Sequence, residues 1–341
     1  MDLVEYIPFE EKKFRPQQKE AIEEIIDAFE NGVETVLLDA PVGLGKSIIG
    51  YCVARHFQEY GKKSYIYTKT TFLQQQYLND FTDIKTAMGR SNFNCIMSGS
   101  LQTCDVGNCK VQKKYSCPVG AVVDEGVYLK SLEPPFEQHC PYWLQKFNAI
   151  QNDISILNYS YAITDNMYLN HFDNRFLGVF DEGHGLEAAL MSALEVEITD
   201  YQIKNDLDTT LSIKPDIESW ISELIRLGEL YKTKAELISD TKRKERFLDR
   251  SKSLKQCASF LEKNPDNWVF NVSDRKNDYA NRYVKQVVFK PIEIQEFTDL
   301  LFSKTEHKLI MSGSILKADI FINELGLDEI NFKYIQIYII I

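Results

Sequence analysis

The sequence predicts an α/β protein: a parallel sheet covered by helices, interrupted by a cysteine-rich insertion and a helical one. Three observations predict it. Between residues 14 and 90, apolar runs of strand length alternate with helix-periodic runs, the pattern of a parallel sheet with right-handed crossovers. The turn at residues 40–47, Ala-Pro-Val-Gly-Leu-Gly-Lys-Ser, directly follows the first apolar strand. A later apolar run ends in Asp181-Glu182-Gly183-His184.

The elements follow in order. Periodicity predicts a helix over 14–29, a strand over 34–39, a helix over 46–58, a strand over 64–68 and a helix over 70–80. Residues 91–139 break this rhythm with Cys, Gly and Pro. It resumes with a helix from 141, a strand at 154–157 and the run Leu177–Phe180 that delivers Asp181. Residues from about 195 to 265 are charged and helix-periodic, with Trp220, Leu224, Leu227 and Tyr231, then Leu254, Cys257 and Leu261, on apolar faces. Strands are predicted at 283–290 and 308–312. The expected division is 1–90, the first part of a nucleotide-binding domain; 91–140, the cysteine-rich insertion; 141–194, the domain continued; 195–268, the helical insertion; 269–316, the end of the domain; and 317–341, the start of another.

The residue types specify a chemistry. Gly43 and Gly45 let the backbone wrap a phosphate with its N–H groups pointing inward. A helix opening at Lys46 turns its positive dipole end to the same anion. Lys46 would neutralise β- and γ-phosphate charge, and the Ser47 hydroxyl would ligate magnesium. Asp181 and Glu182 emerge at the C-terminal end of their strand, where ligands bind in open α/β sheets. Asp181 would hold the magnesium shell, and Glu182 would orient and deprotonate an attacking water. His184 would couple this site to whatever the hydrolysis drives. The expected ligands are ATP and Mg2+.

Composition bounds the rest. With 44% hydrophobic residues in 341, a sizeable core is expected. No apolar run reaches transmembrane length, and Glu5, Glu10 and Glu11 flank nothing that reads as a secretory signal. A cytoplasmic protein with no membrane partner is expected. Five of the seven cysteines crowd into residues 95–140: Cys95, Cys104, Cys109, Cys117 and Cys140. Cys52 and Cys257 lie on helical patterns and read as core. In a reducing compartment such a cluster argues for a metal over disulfides. No gap is Cys-x-x-Cys, and four thiolates from irregular loops suit a 4Fe–4S cluster, with zinc as the alternative. The net charge of −11 disfavours a broadly basic surface. Local basic groups exist: Lys110, Lys113 and Lys114 beside Tyr115, then Lys242, Arg243, Lys244, Arg246, Arg250, Lys252 and Lys255. The second group is either a nucleic-acid contact or a solvated helix face.

Taken in order, these stations resemble the second helicase superfamily and, within it, the XPD/DinG family of iron–sulfur DNA helicases. Phe14-Arg15-Pro16-Gln17-Gln18 resembles the adenine-side motif, with Gln17 as a nucleotide contact. Ala40, Pro41, Val42, Gly43, Leu44, Gly45, Lys46 and Ser47 resemble the family's P-loop, in which an initial Ala is normal. Tyr65-Ile66-Tyr67-Thr68-Lys69-Thr70 resembles motif Ia, a backbone contact to single-stranded DNA. Gly89-Arg90-Ser91-Asn92-Phe93-Asn94-Cys95 and Cys140-Pro141-Tyr142-Trp143 resemble the two borders of the cluster domain. Asn158-Tyr159 resembles the segment before the Asp-Glu-Gly-His box, and Met311-Ser312-Gly313-Ser314-Ile315-Leu316 the motif closing the first motor domain.

The resemblance implies a RecA-like motor domain with a cluster insertion and an arch insertion. It implies 5′-to-3′ translocation on single-stranded or forked DNA. Its motifs place Cys95 and Cys140 as ligands. Cys109 and Cys117 resemble the middle pair of the eukaryotic branch, whereas Cys104 and Cys109 resemble the bacterial spacing. The favoured set is Cys95, Cys109, Cys117 and Cys140, with Cys104 as the alternative ligand. Such helicases use two motor domains, the second carrying a transition-state arginine. No Gln-x-x-Gly-Arg-x-x-Arg box occurs in residues 315–341, which end in Tyr338-Ile339-Ile340-Ile341. The expectation is therefore the N-terminal motor half, from a truncated product, a split gene or an interrupted reading frame, with a second chain as one source of the other half. Two alternatives stay open: a nucleotide-gated module that holds single-stranded nucleic acid without unwinding it, and an ATPase directed at RNA or nucleoprotein.

Overall fold

The computed structural model describes residues 3–9, 13–97, 102–107, 109, 117, 140–277, 282–315, 317–327 and 331–337. The predicted basic residues Lys110, Lys113 and Lys114, with Tyr115, lie outside these, as do Leu316 and residues 338–341. The chain forms two units. The first comprises residues 1–104, 118–193 and 294–341; the second comprises 105–117 and 194–293.

Seven strands build the sheet of the first unit: β1 (Thr35–Asp39), β2 (Ser64–Thr68), β3 (Lys85–Thr86), β4 (Ile154–Asn158), β5 (Arg175–Asp181), β9 (Thr305–Ser312) and β10 (Phe332–Gln336). Their order is β10-β1-β9-β5-β2-β4-β3, and every pairing is parallel. Successive side chains of a strand point to opposite faces, and here both faces are apolar. Val36 and Leu38, Val179, Leu309 and Met311 enter one core, with the helices Gln18–Glu30 and Lys46–Glu59. Leu37, Phe180, Ile310, Tyr65 and Tyr67 enter the other. Tyr67 stacks on Phe180 with ring centroids 4.7 Å apart. Each such fully buried side chain stabilises the fold by about 1.5–3 kcal/mol.

Two sequence boundaries shift. Residues 317–341 were expected to open another domain, but Phe332–Gln336 pairs with β1 in the same sheet. Tyr334 and Gln336 both donate to Asp39 Oδ2, at 3.0 and 3.2 Å, so the edge strand is tied by side chains as well as by its ladder. The second insertion also runs past residue 268. Strands β7 (Trp268–Asn277) and β8 (Arg282–Pro291) form an antiparallel pair, and β8 pairs with β6 (Val196–Thr199). Alternation marked β8 correctly, but only this return pairing assigns it to the insertion. The first helix begins at Gln18, because Pro16 and the left-handed Gln17 (φ 68°) precede it.

In the second unit, helices Ile217–Glu236 and Thr241–Lys263 pack through the expected faces. Trp220, Leu224, Leu227 and Tyr231 are buried, as are Phe247, Leu254, Cys257 and Leu261. Asp216 and Asp240 cap the two helices by accepting from the Ser219 and Arg243 amides. The basic run is partly consumed by this packing. Arg246 pairs with Asp206 at 2.6 Å, Lys255 with Glu229 at 2.6 Å, and Arg250 reaches the Glu197 carbonyl. No helix among the described residues is long and apolar enough to cross a membrane.

A buried ion pair locks the helix that follows Cys140. Lys146, wholly buried, donates to Asp165 Oδ1 at 2.9 Å and also meets the His171 ring. Removing one partner of such a pair leaves an unpaired charge in the core. Asp165→Ala should therefore cost about 3–5 kcal/mol of unfolding free energy in a guanidinium titration. The apolar double change Lys146→Met with Asp165→Leu should recover most of it.

Candidate nucleotide site

The site is assembled at the C-terminal ends of three adjacent strands. β1 leads into the turn at 40–45, β5 into the acidic box, and β9, which lies between them, into Ser312-Gly313. Gly43 and Gly45 both adopt left-handed backbone, at φ 90° and 85°. That region favours glycine, and it turns successive amides toward one concavity. The helix Lys46–Glu59 starts immediately afterwards.

Lys46 is buried, at 8% exposure, and its ammonium has one hydrogen-bond acceptor among the described residues, the Ala40 carbonyl at 3.2 Å. A buried cation with one neutral partner is costly, and an anionic ligand would offset that cost. Ala40, Pro41, Val42, Gly43, Leu44 and Ser47 take the positions expected of a phosphate turn, with Val42 exposed and Leu44 buried.

The turn is braced from outside. Gln18 Nε2 donates to the Leu44 carbonyl at 2.5 Å, and its Oε1 accepts from the Arg15 amide at 2.7 Å. Arg15 also donates to the Gly43 carbonyl. Gln17, the predicted contact, is exposed, whereas Gln18 is buried against the turn. The two adjacent glutamines share one motif; only the helix start at Gln18 tells which side chain turns inward.

Asp181 is 5% exposed. Its Oδ2 accepts from the Tyr77 hydroxyl at 2.9 Å and its Oδ1 from the Glu182 amide at 3.0 Å. Tyr159 donates to its backbone carbonyl at 2.7 Å. Burial raises the Asp181 carboxyl above the usual carboxylate range, and the nearby Glu182 adds to this; the Tyr77 hydrogen bond and Lys46 act in the opposite sense. Glu182 sits in left-handed backbone at φ 56°. Its carboxylate lies 3.2 Å from His184 Nδ1, which is also 3.2 Å from Ser312 Oγ. A Cβ at Gly183 would come within 2.4 Å of Ile310 Cγ2, so glycine is required where the box crosses β9.

β9 joins the two halves. The Ala40 amide donates to the Ser312 carbonyl at 2.9 Å, while the Ser312 hydroxyl meets His184. A Cβ on Gly313 would lie 3.3 Å from the Ala40 carbonyl and 3.5 Å from Lys46 Nζ. The predicted residues Lys46, Asp181, Glu182 and His184 are thus brought to one sheet edge. Gln18, Tyr77 and Ser312 join them without having been singled out as site residues.

A family model for the type III restriction enzyme res subunit matches residues 11–210, which carry the turn, its Arg15 and Gln18 brace, and the acidic box. The chain belongs to that res-subunit family. No curated protein matches the sequence. Among solved structures, an XPD helicase is 18% identical with a TM-score of 0.60, covering 95% of this chain and 62% of that one. A truncated XPD is 16% identical with a TM-score of 0.55, covering 93% of this chain and 99% of the other. At these identities the likeness is one of fold. This chain spans 62% of the first XPD structure. The res-subunit match and the XPD-like fold together make it a helicase-type ATPase fold of the second superfamily.

The cysteines divide. Cys95, Cys104 and Cys140 fall in one small buried cluster with Tyr142 and Trp143. The Cys104 and Cys140 sulfurs are 3.9 Å apart, and burial with the neighbouring thiols pushes the Cys104 thiol up to about 12. Cys140 and Pro141 start the helix Pro141–Gln151, with Pro at its first position. Cys109 and Cys117 belong to the second unit. Among the described residues, no group of three His, Cys, Asp or Glu side chains is arranged to hold a metal ion.

The buried Asp181 gives a stability prediction with a definite sign. A carboxyl whose folded pKa is raised favours folding at low pH, and that contribution is lost as pH rises through the folded value. Ionising Asp181 in the folded protein therefore costs stability. Asp181→Asn should raise the Tm of the nucleotide-free protein by about 2–4 °C in a thermal-shift measurement. The gain should vanish at low pH, where wild-type Asp181 is itself protonated.

Proposed function

We propose that this chain is the N-terminal motor portion of an ATP-dependent DNA helicase, working 5′ to 3′ on single-stranded or forked DNA. The observation that carries the reading is the buried Lys46, hydrogen-bonded among the described residues only to the Ala40 carbonyl, at the C-terminal end of a sheet that also presents Asp181 and Glu182. A cation and two acids converge there around a turn whose amides suit phosphate. The residues fit a nucleoside triphosphate and its magnesium ion. Ser47 and Asp181 would hold the magnesium ion, which when bound would neutralise phosphate charge.

Each residue has a role in this reading. Lys46 compensates phosphate charge. Ser47 and Asp181 hold magnesium. Glu182 orients water and takes its proton. His184, in contact with Glu182 and Ser312, links the state of that base to β9. The Thr68-Lys69-Thr70 segment contacts the nucleic-acid backbone; Lys69 supports this, because its side chain packs over Gly185, directly beyond the box. A second motor domain, on a longer or separate chain, supplies the transition-state arginine.

The thiols are proposed to hold a 4Fe–4S cluster, which would give the nucleic-acid side of the protein a rigid, metal-knotted element. Cys95 and Cys140 are ligands in this reading, and Cys104, which shares their buried cluster, joins them.

Three experiments test these points. Lys46→Ala should weaken binding of a fluorescent ATP analogue at least about tenfold, since a charge-assisted phosphate contact is lost. Unchanged affinity would end the nucleotide reading. A second motor domain added to the 341-residue chain should raise DNA-stimulated turnover by about 10³–10⁵, and Glu182→Gln should erase that gain. Anaerobically purified protein should be brown, and Cys95→Ser or Cys140→Ser should bleach it. A colourless protein with stoichiometric zinc would contradict the cluster.

A further inference from the structure

Asp181 is held by a side chain that no motif identifies. The helix Thr71–Asp80 begins directly after Thr70, which caps it by accepting from the Leu73 amide. Two of its residues turn inward. Gln74 is wholly buried and donates to the Ala87 carbonyl at 3.0 Å and the Ile156 carbonyl at 3.2 Å. Tyr77, one turn further on, is 2% exposed and donates to Asp181 Oδ2 at 2.9 Å. Its ring is fixed against Phe81, with centroids 5.6 Å apart, and Phe81 stacks on Tyr51 of the helix that follows the phosphate turn. The phenol has no freedom to relocate. It is a dedicated donor to one oxygen of the carboxylate.

We propose that Tyr77 is a positioning residue for magnesium, holding the Asp181 carboxylate in its productive orientation and tying it to the helix that follows Thr68-Lys69-Thr70. The proposal rests on the nucleotide reading above. Three donors fix Asp181: Tyr77 on Oδ2, the Glu182 amide on Oδ1 and Tyr159 on the backbone carbonyl. Each carboxylate oxygen keeps a further lone pair for magnesium or its water shell. Partners behind a metal-binding carboxylate orient it, and removing one typically costs about tenfold to a hundredfold in metal affinity. The Tyr77 hydroxyl is also what connects the nucleic-acid segment to the nucleotide. A displacement of the helix N-terminus would reach Asp181 through the buried Tyr77 ring.

The test separates magnesium from nucleotide. Binding of a fluorescent ADP to the full chain is titrated with and without Mg2+ for wild type, Tyr77→Phe, Asp181→Asn and the double variant. Phe keeps the ring and its packing, and thermal melting verifies the fold. Tyr77→Phe is expected to raise the half-saturating Mg2+ concentration about tenfold or more while leaving magnesium-free ADP affinity unchanged. In the Asp181→Asn background the same change is expected to do nothing further. A merely structural role would weaken both affinities together, and additive losses in the double variant would likewise overturn the proposal. Magnesium-dependent binding that Tyr77→Phe leaves unaltered overturns the inference alone. Nucleotide binding by wild type that ignores magnesium overturns the magnesium roles of the functional reading with it.

Discussion

A strand placed between two others organises this site. β9 separates β1 from β5, so the phosphate turn and the acidic box are not neighbours in the sheet. They communicate through the end of β9. The Ser312 carbonyl takes the Ala40 amide, its hydroxyl meets His184, and Gly313 fits between the Ala40 carbonyl and Lys46. Gly183 is pressed on Ile310 of the same strand so closely that no side chain could stand there. Parallel strands end in register, so one short strand extension serves both halves of the site. A shift of β9 along its axis would disturb cation, acids and histidine together.

The electrostatics of that edge are unbalanced in the absence of ligand. Lys46 is buried with a carbonyl for company, and Asp181 is buried with its carboxyl pushed upward by desolvation. Another buried charge, Lys146, is neutralised locally by Asp165. The contrast is physical: the Lys146–Asp165 pair is complete within the fold, whereas Asp181 carries a desolvation cost that, under the proposed function, a bound cation would offset.

The second unit follows different rules. Its helices and antiparallel strands close around aromatic residues, with Trp220 edge-on to Phe289 at 5.2 Å. Ser251 donates to the Gly228 carbonyl at 2.7 Å, and Gly228 lets the two long helices approach. Arginines that read as a basic stripe are partly spent on Asp206 and Glu197. Charge runs count residues, but only packing tells which of them keep a free head group.

The sequence by itself determined the parallel sheet, the glycine turn after its first strand, the strand end that carries Asp181, and both helical faces of the insertion. These are local or periodic properties: glycines before Lys46, apolar runs of strand length, and apolar residues recurring at helical spacing. It also marked Cys95 and Cys140 as a pair through their flanking motifs. Of two adjacent glutamines it named Gln17, and did not mark Gln18, which braces the turn, since that depends on where the helix starts. It assigned β8 and β10 to the wrong segments, because an alternating strand carries no label for its partner. Tertiary structure decided that β10 completes the first sheet, that Cys104 sits with Cys95 and Cys140, and that Tyr77 reaches Asp181 across 104 residues of chain. Those are contacts between segments whose separation in sequence conveys nothing about their distance in space.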